Sequence, residues 1–161
     1  MSGRYAGVFW FAMFVVFNPV ALAQIAKPYG PPIGVESAKK IAAVALAEAK
    51  KNNWTMAVAV VDPGGTLVYY EKMDNTQTGS ANIAIEKAKT AALFKRPSKA
   101  FQDAVAGGGA GLRALAVPGI VPIEGGIPLI LDDKIVGAIG VSGDSSDHDA
   151  LCAQAAADAL R

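Results

Sequence analysis

The chain has 161 residues, 52% hydrophobic and 18% charged, with 15 Lys and Arg against 14 Asp and Glu and a net charge of +1. This composition excludes a disordered tail, and the scattered pairs Lys39-Lys40, Lys50-Lys51 and Lys95-Arg96 make no broad basic field for nucleic acid. A single Cys, Cys152, and a single His, His148, rule out an intramolecular disulfide, a CxxC pair and a multi-histidine zinc centre.

Arg4 precedes the apolar run Val8 to Phe17, which is too short to span a bilayer but suits the hydrophobic region of a signal peptide. Asn18-Pro19 breaks the run, and Ala21-Leu22-Ala23 offers the small residues a signal peptidase reads. Residues 1–23 are therefore expected to be an export signal, placing the mature chain in the periplasm or outside the cell without stable membrane insertion. Residues 24–34, with Pro28, Pro31 and Pro32, should run as an extended lead-in to a single domain over 35–161.

Within that domain, Val35, Ala38, Ala42, Ala45, Leu46 and Ala49 recur at helical spacing and predict a helix over Val35 to Lys51. Trp54 to Val61 and Thr66 to Tyr70 read as strands joined by the turn Asp62-Pro63-Gly64-Gly65. Ser80 and Ser98 each suit a helix start, predicting helices through Phe94 and Val105, with Pro97 between them. The glycine-rich run Gly107 to Gly111 must be loop; it lacks the Gly-Lys-Ser/Thr ending of a phosphate cradle. Ile120 to Ile123, Ile127 to Leu131 and Ile135 to Val141 look like three further strands, and Ser145 to Leu160 a closing helix. The expected fold is α+β, a five-stranded, mainly antiparallel sheet with helices packed against it.

Few residues carry obvious chemistry. Gly125-Gly126 either lets main chain approach a ligand closely or bends the chain between strands. Lys87, on a small-residue helix face, either presents its charge to a carboxylate or lies on a solvated flank. Asp144, Asp147 and Asp149 surround His148; they could hold a cation with it, although the segment better suits a capped helix start. Cys152 reads as a buried small hydrophobe. An enzyme acting on a small carbonyl or hydroxy acid would use Glu124 or Asp62 as general base beside the Gly125 and Gly126 N–H groups, but no acid/base pair is recognisable.

Four blocks occur in order: Val58-Ala59-Val60-Val61-Asp62-Pro63-Gly64-Gly65-Thr66-Leu67, Lys87-Ala88-Lys89-Thr90-Ala91-Ala92-Leu93-Phe94, Gly125-Gly126-Ile127-Pro128 and Val136-Gly137-Ala138-Ile139-Gly140-Val141-Ser142-Gly143. Together they resemble the GlcG/HbpS-like heme-binding family over about Val35 to Leu160. The resemblance implies a profilin-like α/β sandwich that forms homo-oligomers, up to octamers. It also implies members that bind heme outside the cell, members accompanying glycolate metabolism and cobalamin-associated relatives. The expected ligand is accordingly a tetrapyrrole, heme first and a corrinoid as the alternative, captured reversibly, with a sensor protein as a further partner. By likeness, Met73, Lys87, Thr90, Phe94, Glu124, Gly125 and Gly126 are the positions carried over as pocket-lining. With His148 assigned to a helix start, Met73, Tyr69, Tyr70 and Thr90 are the candidates for contact with iron.

Overall fold

The computed structural model describes residues 25–160, so the segment read as an export signal lies outside the described residues. The elements are α1 (Val35–Lys51), β1 (Ala57–Val61), β2 (Leu67–Lys72), α2 (Ser80–Phe94), α3 (Lys99–Ala106), a 3-10 helix (Gly109–Ala116), β3 (Gly126–Leu131), β4 (Lys134–Ser142) and α4 (Ser146–Asp158). The four strands form one antiparallel sheet in the order β2-β1-β4-β3.

Alternation of small and branched side chains decides how the two faces are covered. Ala57, Ala59, Val61 and Ala138 point to one face, against Ala84, Ala88, Ala91 and Ala92 of α2. Val58, Val60, Ile139 and Val141 point to the other, packing with Ile41 and Leu46 of α1 and Cys152 and Ala153 of α4. The alanine face brings α2 so close that a Cβ at Gly140 would overlap the Ala84 carbonyl oxygen and stand 2.6 Å from the Ala88 nitrogen. The branched face supplies the larger apolar burial, at roughly 1.5–3 kcal/mol for each fully buried Val, Leu or Ile.

Local chemistry explains most boundaries. The α1 stripe is Ala38, Ile41, Ala42, Ala45, Leu46 and Ala49, while Val35 at its start is exposed. In the β1–β2 hairpin, Asp62 Oδ1 accepts the N–H groups of Gly64 at 2.8 Å and Thr66 at 2.9 Å, and Gly65 takes φ +82°. The lead-in is extended: Gly30 N–H donates to the Ile135 carbonyl, Ile135 N–H to that of Pro28 and Ile33 N–H to that of Val136.

The fifth strand is a correction. Among the described residues the sheet has four strands, and 120–123 is loop. Pro118 and Pro122 remove N–H donors around this short apolar run, Ile123 N–H turns back onto the Val121 carbonyl, and Val121 N–H goes to the Thr90 hydroxyl instead of a neighbouring strand. Helix starts differ as well. The residue before α2 is Gly79, and Ser80 is buried in the first turn, 3.2 Å from the Ser142 hydroxyl. No described helix is long and apolar enough to cross a membrane.

Candidate functional site

The α2 alanine face leaves one position for a long side chain, and Lys87 occupies it fully buried. Its ammonium stands 2.6 Å from Asp149 Oδ2 and 3.1 Å from the Val141 carbonyl, with side-chain exposures of 1% for Lys87 and 3% for Asp149. The carboxylate to which Lys87 presents its charge therefore belongs to the chain itself, and the solvated-flank reading is overturned. Burial lowers the Lys87 pKa, opposed by the charges of Asp149 and Glu124; burial likewise raises that of Asp149, opposed by Lys87. Asp149, read from sequence as one of three acids at a helix start, is thus separated in role from the exposed Asp144 and Asp147.

Gly125 makes room for this pair. Its φ is +116°, and a Cβ there would lie 3.0 Å from both Lys87 Nζ and Asp149 Cβ. Gly126 meets α2 backbone just as closely, since its Cβ would overlap the Lys87 carbonyl oxygen. The Gly126 N–H donates to Ser98 Oγ at 2.9 Å, and Ser98 N–H donates back to the Gly126 carbonyl at 2.9 Å. Ser98, expected as a helix cap, therefore ties α3 to β3. The Gly126 N–H is not an available oxyanion donor, and Asp62, committed to its turn, is not placed as a base.

Two clefts with no lining residue in common flank this region. An open one of about 470 Å3 includes Lys99, Glu124, Gly125, Ile127, Ala150 and Leu151 in its walls, with Asp147 and Gln154 at its polar edge. Glu124 is positioned by Gln102, whose Oε1 accepts its backbone N–H at 2.9 Å, and its carboxylate stands 3.8 Å from Lys99 Nζ. A second cleft of about 310 Å3 is lined by Ser80, Lys87, Ser142, Asp144 and Asp149 among others.

The structure does not bring the other carried-over residues to the Glu124–Gly126 cleft. Met73 follows β2 at one edge of the sheet, where its sulfur accepts the Met56 N–H at 3.4 Å; Gly126 opens β3 at the opposite edge, three strand spacings or roughly 14 Å across. Thr90 is fully buried and occupied: its hydroxyl bonds the Glu86 and Gly119 carbonyls and accepts the Val121 N–H. Phe94 packs edge-on against Phe101 with ring centroids 5.5 Å apart. Of the tyrosines, Tyr69 donates to Glu71 and Tyr70 packs on the Ala57–Ala59 cluster.

His148 stacks on Trp54 at 3.9 Å and 13°, a contact the sequence reading did not anticipate; its Nδ1 is buried without a hydrogen-bond partner, 3.4 Å from Asp144 Oδ1. Cys152 is buried as expected, and burial pushes its thiol up to about 12, far from a reactive thiolate. Among the described residues no group of three or more His, Cys, Asp or Glu could hold a metal ion.

Comparison with known proteins adds the following. The model of the family described as "Haem degrading protein HbpS-like" matches residues 33–158. Protein GlcG of Escherichia coli strain K12 is 40% identical over 107 residues, 66% of this chain and 78% of that protein. A crystal structure of a double mutant of Streptomyces reticuli HbpS superposes with a TM-score of 0.75 at 28% identity, covering 94% of this chain and 99% of that one. A PduOC:heme complex superposes with a TM-score of 0.73 at 26% identity, covering 81% and 96%.

Proposed function

The chain belongs to the HbpS-like family, and from that membership and the open cleft beside Gly125 we propose that it is an exported, homo-oligomeric protein that binds heme reversibly. The observation that carries the reading is the likeness, over 81% of the chain, to PduOC, which was crystallised with heme. The cleft suits such a guest in size, about 470 Å3 against the roughly 300–1,000 Å3 usual for small-molecule sites. Pro97, Ile127, Ala150 and the exposed Leu151 offer apolar contact to a macrocycle, and the Lys99 ammonium can meet a propionate.

Heme would supply an iron centre, and the cleft's own residues decide how it is held. None of its lining residues is a His, Cys, Met or Tyr, the usual axial ligands. Face contact and charge must then supply most of the affinity, which is why capture is expected to be reversible. Export rests on the sequence of residues 1–23; a mature N-terminus at Gln24 in the periplasmic or secreted fraction is its direct readout.

Titration of the mature protein with hemin should give a saturable Soret shift. Leu151→Asp, which replaces an exposed apolar wall with a charge, should weaken binding about tenfold or more, as expected for losing the burial of one leucine. Met73→Leu should leave binding unchanged. An unaltered hemin spectrum would remove the heme reading, and a corrinoid that bound in its place would move it to the alternative tetrapyrrole. Full affinity in Leu151→Asp would place heme elsewhere on the molecule.

A further inference from the structure

The second cleft has a composition that heme capture does not use. It lies where the first turns of α2 and α4 approach the end of β4, and its lining includes the buried Lys87–Asp149 pair. An ammonium has three hydrogens, and the bonds to Asp149 Oδ2 and the Val141 carbonyl use two of them. The Ser80 and Ser142 hydroxyls, 3.2 Å apart and both buried, share one hydrogen between them and keep a second to donate. A buried lysine, a carboxylate in contact with its amine and spare hydroxyl donors thus belong to the lining of one small space.

We propose that this cleft takes a small uncharged hydroxylated aldehyde or ketone and holds it as an imine on Lys87 Nζ. Amine chemistry needs an unprotonated nitrogen and a group to relay its proton. Burial favours the neutral forms of both Lys87 and Asp149, and their 2.6 Å contact lets one proton pass between them. With Asp149 protonated, the Lys87 lone pair adds to the carbonyl carbon and the carbonyl oxygen receives the Asp149 proton. The nitrogen then returns a proton to Asp149. Asp149 next protonates the departing hydroxyl, the C–O bond breaks, water leaves, and a C=N+ iminium remains opposite an Asp149 carboxylate. Charge is conserved, no oxidant is needed, and one cation–carboxylate pair replaces another. Asp144 and Asp149 against the single Lys87 disfavour an anionic carbonyl compound, and the hydroxyl-bearing walls favour a hydroxylated one.

The mature protein is incubated with glycolaldehyde at neutral pH, reduced with borohydride and mapped by mass spectrometry, with glyoxylate as the anionic comparison. Saturable labelling at Lys87, ahead of the exposed Lys39, Lys40 and Lys50, is expected, with glyoxylate labelling Lys87 several-fold less. Ser80→Ala, which removes one hydroxyl and keeps the amine, should lower Lys87 labelling several-fold and leave surface labelling unchanged. Labelling confined to surface lysines, or equal labelling of Lys87 by both compounds, overturns the proposal. Because the two clefts share no lining residue, either outcome leaves the hemin titration to stand or fall by itself.

Discussion

Removing one member of a buried ion pair leaves the other charge without compensation, at a cost of about 3–5 kcal/mol. Lys87→Met should therefore destabilise strongly, and Lys87→Met with Asp149→Leu should recover most of the loss. The Val141 carbonyl would still lack its donor and the Asp144 N–H its acceptor, leaving a deficit of about 1–2 kcal/mol. Urea unfolding of the parent, both single variants and the double variant measures this directly; a double-variant loss equal to the sum of the two single losses would show that the pair holds no net coupling. The pH dependence has two limbs. The folded pKa of Lys87 lies below its ordinary 10.5, so the unfolded chain binds more protons in the window between, and stability rises as pH climbs toward 10.5. For Asp149, raised above 3.8, the folded chain binds more protons between the two values, so stability rises as pH falls through that window. Both limbs should vanish in the double variant. The pairing was only half legible in the sequence: a lysine among alanines allows a carboxylate partner as readily as a solvated flank, and Asp149, 62 residues away, sits in an acidic helix start that satisfies a local explanation. The His148–Trp54 stack was hidden for the same reason, because nothing local links two residues brought together by the fold.

At the scale of elements, the face of α2 and Gly140 of β4 form one device. Gly140→Ala would drive a methyl into the α2 backbone at Ala84 and Ala88, and overpacking of this kind costs about 1–3 kcal/mol or more because neither helix nor strand can yield alone. Gly79→Ala, where no atom lies within 4 Å of the added Cβ, should stay within about 0.5 kcal/mol of the parent. Thermal unfolding of both variants checks the contrast, and a neutral Gly140→Ala would mean that α2 is not held against the sheet this tightly. The hairpin was legible because Asp62, Gly64, Gly65 and Thr66 settle their own hydrogen bonds within five residues. The hydrophobic content of Ile120 to Ile123 suits a strand, but in so short a run the donors missing at Pro118 and Pro122 count for more. The small-large alternation of β1 was visible, but which face would receive α2 is fixed only when β4 supplies Ala138 and Gly140 beside it.

For the whole molecule, the homo-oligomer we propose needs a surface, and among the described residues the segment after α3 offers one. The 3-10 helix buries none of its residues, while Leu112, Leu115, Val117 and Ile123 along it and the following loop are 49, 62, 40 and 39% exposed. Apolar side chains gathered in one stretch carry a standing cost in water that subunit contact relieves, and sizeable apolar patches commonly mark interaction sites. Leu112→Asp with Leu115→Asp places two charges in that contact and touches no described core cluster. Light scattering should show the parent as an assembly and the double variant as a monomer, with the unfolding midpoint of the isolated subunit little changed. An assembly that survives both substitutions would put the contact elsewhere on the subunit, and a monomeric parent would end the oligomer proposal. Because the cleft proposed for heme and this segment share no residues, a monomeric double variant that still shifts the Soret band would show that each subunit holds its ligand alone.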